Sequence, residues 1–484
     1  MRISLKETQL GLRNSTTRIP FRYGSACLTK CPQAVLRVAI ETDGKRQAGF
    51  SGDCLPPSWF DKSPQKDFEQ QIDDMLAVIR LAEKTFLEEF ASPTPFFPAW
   101  LIAYERVHSR AAEWKLTPLL TSFGISLVER AVMDAMARAA RQPFAKAVRS
   151  NLYEIEPGAV HSQLDGLNLN DWLPEKPVLR AWVRHTIGLG DPLTRADIPA
   201  GERLDDGFPQ SLEDYVEQTG IRFFKIKVSN QLDHDLGRLK TIAALVERNR
   251  GEDYQLTLDG NEQYKSADAF DRLIDAIEGS DDLRTLWNNT LVVEQPLDRK
   301  IALDEQHTGG IRSLSQRTPV IIDESDGTVD SYVQAIELGY RGVSSKNCKG
   351  PVKSLLNAGL TWLCNDRGRL SDFVMTGEDL CTVGIIPVQS DLCLTATLGL
   401  THVERNGHHF HPGLSYLTAD QQEAALSAHP DFYARHNDIV SPRLVDGRFE
   451  IGSLQCVGFG FSVEPDFQSM QSADEWEFSS LDLA

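Results

Sequence analysis

Several short stretches of the chain carry charged side chains at spacings that chemistry could use. The stretch Lys225-Ile226-Lys227 follows the aromatic pair Phe223-Phe224. In an extended strand alternate side chains point to opposite faces, so both lysines share one face and Ile226 takes the other. Two ammonium groups held side by side repel one another. Two exposed lysines on an edge strand would explain the motif without function. Further on, Asp259-Gly260-Asn261, Glu294-Gln295-Pro296 and Asp323-Glu324-Ser325 each place a carboxylate just after an apolar run. One such acid is ordinarily a helix cap or a surface residue. Three that converge repel unless a hard cation sits between them. Carboxylate oxygens, with waters completing an octahedron, suit Mg²⁺ or Mn²⁺. A last stretch, Lys346-Asn347-Cys348-Lys349-Gly350, supplies another lysine.

These residues need a frame that brings distant strand ends together. From about Pro177 short apolar runs alternate with amphipathic helices. The runs are Val178–His185, Arg222–Val228, Gln255–Asn261, Leu291–Pro296, Val320–Glu324, Gly342–Lys346, Phe373–Glu378 and His402–His411. The helices include Leu212–Gln218, Leu236–Arg248, Ala267–Ile277 and Ser331–Leu338. This rhythm is that of a (β/α)8 barrel in the α/β class, whose sites lie at the C-terminal ends of the strands. An open doubly wound sheet would carry a glycine-rich phosphate turn after its first strand, and Gly188-Leu189-Gly190-Asp191-Pro192 does not complete one. In a barrel, Lys346 on strand six lies across from strand two.

The preceding part reads as α+β. Val35–Ile40 is rich in strand formers, Asp43-Gly44 signals a hairpin turn, and helices are expected over 65–90 and 126–149. The expected domains are a capping domain over 1–165, a barrel over 176–415 and a C-terminal segment over 416–484 that packs back on the cap. Trp100, Trp114 and Trp182 are expected in the core, with Asp205-Asp206 and Asp281-Asp282 on solvated faces.

Taken in order, these stretches resemble the enolase superfamily. More narrowly they resemble the muconate lactonizing enzyme branch of the mandelate racemase/muconate lactonizing enzyme family. Ile19–Ser25 stands where that family has a mobile substrate loop. Phe50–Cys54 resembles its second specificity loop, where a Gly-Glu-Ala-type turn is commoner. Val128–Ala135 with Gln142-Pro143-Phe144 resembles its helix leading into the barrel. The resemblance implies Asp259, Glu294 and Asp323 as metal ligands, with the first acid of Asp323-Glu324 as the ligand. It implies Lys227 and Lys346 as an acid/base pair and Lys225 as a cation near the substrate carboxylate. Arg22, Asn261 and Glu378 are further candidates for substrate contact. A homo-oligomer is the expected assembly.

The chemistry so implied is removal of a proton α to a carboxylate. That step makes a dianionic enediolate which water stabilises poorly and a Lewis-acid metal stabilises well. A neighbouring cation such as Lys225 would lower the pKa of Lys227 and make it a better base. Epimerisation or racemisation, cycloisomerisation and β-elimination all follow from such a step. Two departures matter. Strand seven carries no histidine, which disfavours the racemase branch. The Asp-x-Asp element by which dipeptide epimerases hold the substrate amine on strand eight is not evident, and Gly407-His408-His409-Phe410-His411 stands there instead. Those histidines are read as loop residues rather than a second metal site. A lysine aldolase forming a Schiff base and a non-catalytic barrel that only binds are the competing readings.

Composition bounds the rest. The 50 Lys and Arg against 69 Asp and Glu give a net charge of −19, which argues against nucleic acid or an anionic membrane as the main partner. None of the eight cysteines forms a Cys-x-x-Cys pair, so buried thiols in a reducing compartment are expected. The opening residues lack the apolar core of a signal peptide, and a cytoplasmic location is expected.

Overall fold

The computed structural model describes residues 1–23, 26–368 and 372–483. The chain opens with a meander of long antiparallel strands, Arg2–Tyr23, Ala26–Thr42 and Lys45–Cys54. The second and third join through Asp43-Gly44, both at positive φ (50° and 71°). That is the geometry a tight two-residue hairpin demands and Asp-Gly tolerates. The middle strand runs well beyond Val35–Ile40 because both neighbours pair with it along most of its length.

Helices cover one face of this sheet. Phe68–Glu89 starts at a capping box made by Asp67 and Gln70. The helix expected over 126–149 is two helices, Pro118–Ala139 and Phe144–Arg149. Proline at 143 has no N–H and cannot continue a helix. The chain turns at Arg141, at φ 54°, and restarts after Pro143. Pro118–Ala139 lies almost on the sheet backbone: a Cβ on Gly49 would stand 2.3 Å from the Ala131 carbonyl oxygen. Only glycine permits that approach.

The barrel strands are Arg180–Ile187, Phe223–Lys227, Gln255–Asp259, Thr290–Glu294, Val320–Ile322, Gly342–Ser345, Val374–Gly377 and His402–Glu404. They are parallel and paired in chain order, and the eighth pairs with the first to close the ring. The eighth strand ends at Glu404 rather than His411. Asn406 is bound to Asp379, and Gly407–Phe410 forms a short helix. After the barrel, Arg448–Glu450 adds antiparallel to the first barrel strand, and Gln471–Ser472 pairs with Gly11 and Leu12 of the cap. The tail thus touches both parts.

Trp100 is buried, but Trp114, expected in the core, is 51% exposed at the end of its helix. Asp206, expected on a solvated face, instead holds the Arg18 guanidinium with both oxygens at 2.7 and 2.8 Å. Among the described residues no helix is long and apolar enough to cross a membrane.

Candidate active site

The strand pleat places Lys225 inside the barrel and Ile226 in the core outside it. Pairing sets Lys227 level with Asp259, and Asp259 level with Glu294. Lys225 Nζ lies 2.6 Å from Glu294, 2.7 Å from Glu378, 3.1 Å from Glu404 and 3.3 Å from Asp259. All five residues are buried. Burial alone would lower the pKa of Lys225, but Asp259, Glu294, Glu378 and Glu404 outweigh it and hold the ammonium charged. Lys225 therefore does more than sit beside Lys227: it neutralises the barrel's acids.

A second knot forms around Asp323. Its oxygens take Lys346 at 2.7 Å, Lys349 at 2.8 Å and the Ser344 hydroxyl at 2.5 Å. Burial would raise its pKa, yet Lys346 and Lys349 hold the carboxyl well below the ordinary range. Gln295 explains why Glu294-Gln295-Pro296 and Asp323-Glu324-Ser325 occur together. Its Oε1 accepts the backbone N–H groups of Asp323 and Ser325, and its Nε2 donates to the Ser325 hydroxyl at 2.7 Å. The amide fixes the turn that carries the acid.

Above these knots is a cavity of about 50 Å³ whose lining includes Lys227, Lys346, Asp259, Asp323 and Asn261. Phe21, Tyr23, Pro56 and Trp59 of the N-terminal region complete its lining. The Trp59 ring centre lies 4.8 Å from Lys346 Nζ. Lys227 is partly buried and makes no hydrogen bond or ion pair among the described residues. Phe21 and Tyr23 face this cavity, and strand alternation turns Arg22 onto a separate cavity of about 690 Å³, beside Gly190 and Arg238. Arg22 is thus on the outer side of the strand that closes the mouth. Gly24 and Ser25 of the same expected loop lie outside the described residues. Asn261 donates to Glu324 Oε1 at 3.2 Å. Glu378 lies below the cavity, its other oxygen paired with buried Arg184. Burial and the nearby Asp323 charge push the Glu324 carboxyl up to about 7.

Acidic oxygens of Glu294, Asp323 and Glu378 lie within 4.8 Å of one another, a spacing that fits a divalent cation. Glu294 Oε2 is buried and has no hydrogen-bond partner among the described residues. Such an orphan is costly unless something else satisfies it. Burial, then repulsion from Glu378, raises the Glu294 pKa well above its ordinary value, in part offset by Lys225. The donor set therefore fits a hard cation. Asp259 does not complete the close group; it stands on the Lys225 side. His408–His411 belong to no metal-spaced group among the described residues, and His409 is bonded to the Tyr215 hydroxyl.

Sequence reasoning missed Glu404, Arg184 and the anchoring role of Lys349. Glu404 and Arg184 face inward from the eighth and first strands. Inward alternation from Val183 and Val403, both core residues, marks them.

Eight parallel strands, a ring of buried acids and lysines at their C-terminal ends and a cap over the mouth define the class. Residues 208–347 match the family model described as enolase C-terminal domain-like. A dipeptide epimerase from Enterococcus faecalis V583, complexed with Mg and the dipeptide L-Leu-L-Tyr, superposes with a TM-score of 0.58 at 14% identity, over 95% of this chain and 99% of that one. A mandelate racemase/muconate lactonizing protein from Herpetosiphon aurantiacus gives 0.59 at 15% identity, over 96% and 99%. Muconate lactonizing enzyme from Pseudomonas fluorescens, complexed with muconolactone, gives 0.58 at 15% identity, over 98% and 97%. A search of curated proteins finds no matching sequence. The family match and the shared fold bear out the resemblance to the enolase superfamily drawn from the motifs.

Proposed function

We propose that the protein is a metal-dependent isomerase or lyase that removes the proton α to the carboxylate of a small organic acid. The carrying observation is that Lys227, Lys346, Asp259 and Asp323 line one cavity at the barrel mouth. In the closed ring, strands two and six lie opposite one another. Lys227 and Lys346 thus approach a molecule in the cavity from opposite walls, one to take a proton and one to give or balance it. Buried Lys225 keeps positive charge beneath the substrate carboxylate. A bound divalent cation, Mg²⁺ as in the epimerase complex, would supply Lewis-acid stabilisation of the carboxylate as negative charge develops. Phe21, Tyr23 and Trp59 exclude water, which strengthens every charge interaction inside. The aromatic lining suits an acid with an apolar portion.

The test is α-proton exchange in deuterated solvent, followed by NMR, over N-acylamino acids, dipeptides, acid sugars and lactones with Mg²⁺. Metal-dependent exchange that Lys227→Ala and Lys346→Ala abolish for one or both faces is the expected result. Exchange that survives both substitutions, or that chelation leaves unchanged, overturns the proposal. A covalent adduct trapped by borohydride would favour a Schiff base instead.

A further inference from the structure

Arg22 and Arg238 line a cavity that the proposed chemistry does not use. It has a volume of about 690 Å³ and lies between the first strand of the chain, the loop that follows the first barrel strand and the helix Leu232–Arg250. A ligand pocket typically measures roughly 300–1,000 Å³. Among the described residues it shares no lining residue with the small cavity over Lys227 and Lys346. The partition is the strand itself. Phe21 faces the small cavity and Arg22 the large one, and the Phe21 and Phe410 ring centres lie 4.1 Å apart.

The polar groups of the large cavity are unevenly spent. Asp191 accepts the Gly188 N–H at 2.7 Å, and Asp197 accepts the Leu193 and Thr194 N–H groups and the Thr194 hydroxyl. Those acids are consumed in shaping the loop that carries them. Arg18 is spent on Asp206 and on the carbonyls of Phe208, Pro209 and His409. Arg238 uses only Nη2, on the Gly188 and Asp191 carbonyls at 2.5 and 3.0 Å. Its Nε is buried without a partner among the described residues. Arg22 makes no hydrogen bond or ion pair among the described residues, and a Cβ on Gly190 would stand 3.5 Å from its Cδ. Both guanidinium groups therefore flank the Gly188–Asp191 turn, with unfilled donors. Against them stands one lining acid without a partner among the described residues, the exposed Glu202.

We infer that this cavity is a second binding site, for a small organic carboxylate distinct from the molecule held over Lys227 and Lys346. Arg22 and Arg238 take the carboxylate, since a guanidinium fork matches its two oxygens. Ile19, Leu189, Ile198 and Phe410 give the rest of the ligand an apolar wall.

The test uses 4-bromobenzoate. In soaked crystals the anomalous signal of bromine should lie beside Arg22 and Arg238, clear of both lysines. A signal only over Lys227 and Lys346 overturns the inference, because the carboxylate then belongs to the catalytic cavity. In solution, isothermal titration calorimetry should show saturable binding of 4-bromobenzoate and none of the neutral 4-bromobenzamide. Arg22→Ala and Arg238→Gln should each weaken binding at least about tenfold, and Lys346→Ala should leave it unchanged. Equal binding of acid and amide, loss only in Lys346→Ala, or no saturable binding in solution overturns the site, whatever the crystals hold. Arg22 is exposed and unpaired among the described residues, so Arg22→Ala carries the test even where Arg238→Gln fails to fold. Binding is read without metal or turnover, so the outcome stands apart from the reaction proposed above.

Discussion

Two buried acids in this molecule sit in opposite states of completion. Asp134, in the helix under the capping sheet, accepts the Phe459 N–H on one oxygen. Its other oxygen takes the Phe50 N–H and Arg138 Nε. It joins helix, sheet and tail, and every lone pair that matters has a donor. Glu294, at the end of the fourth barrel strand, has Lys225 on one oxygen and, among the described residues, no donor on the other. Both are fully buried, and burial pushes both pKa values up. The difference is that Asp134 is satisfied on both oxygens by the protein's own donors, whereas one Glu294 oxygen has no donor among the described residues. Saturated buried polar groups fix structure; unsaturated ones at a cavity mark chemistry.

The largest expected effects separate these two roles. Replacing Lys227 or Lys346 by alanine should lower turnover by about 10²–10⁴-fold, the usual worth of a positioned acid or base. Lys227→Ala should leave the melting temperature nearly unchanged, because its ammonium has no ion pair among the described residues. Asp134→Ala should do the reverse. It strands Arg138 and two N–H groups, and breaking a buried pair typically costs about 3–5 kcal/mol. Denaturant titrations beside steady-state rates check this. A Lys227→Ala chain that unfolds easily, or an Asp134→Ala chain of normal stability, would erase the contrast.

A smaller effect sharpens it. If the barrel network is unfinished, a cation that completes it stabilises the fold. At a Mg²⁺ concentration one hundred times the dissociation constant the gain is about 2.7 kcal/mol. Thermal unfolding with and without Mg²⁺ measures it. The gain should vanish in Glu294→Gln and persist in Arg138→Lys, which alters only the cap. A cation effect of the same size in both variants would mean nonspecific screening.

Much of this is legible in the sequence because strands put charges where a pleat demands. Lys225-Ile226-Lys227 can only place its lysines together, and Asp259, Glu294 and Asp323 each follow an apolar run that has to be barrel wall. What is not legible comes from contacts between distant strands. Glu378 reads as one more acid after a strand; its place beside Glu294 depends on ring closure and on Arg184 from the first strand. Arg22 stands apart from the small cavity for a local reason: alternation puts Phe21 and Tyr23 on that cavity and Arg22 on its larger neighbour. The eighth strand reads too long because His408–His411 looks strand-like, and the Asn406–Asp379 bonds that end it are invisible in one dimension. Pro143, by contrast, is a readable stop signal that the apolar periodicity of 126–149 obscures.

The smallest effect concerns buried groups that are neutral rather than charged. His185, stacked on Tyr215 with ring centres 4.2 Å apart, is pushed down to about 3 by burial. His402, half-buried beside Arg184, is likewise pushed down to about 3 by desolvation and then by that guanidinium, and burial takes His411 down to about 4. An unfolded histidine takes up its proton near pH 6.5, whereas these folded ones stay neutral until far lower pH. Between those values the unfolded state binds more protons, so stability rises with pH there and is lost as pH falls from about 6.5. At pH 5 one such histidine costs roughly 2 kcal/mol at about 1.4 kcal/mol per pH unit. His185→Phe keeps an aromatic ring against Tyr215 but cannot take a proton. The slope of unfolding free energy against pH, between about pH 4 and 6, should therefore fall by about one proton's worth, whatever happens to stability at neutral pH. An unchanged slope would mean that His185 does not resist protonation in the folded chain. The acid sensitivity would then belong to the carboxylates of the barrel mouth, where Lys346 and Lys349 hold Asp323 ionised well below the ordinary range.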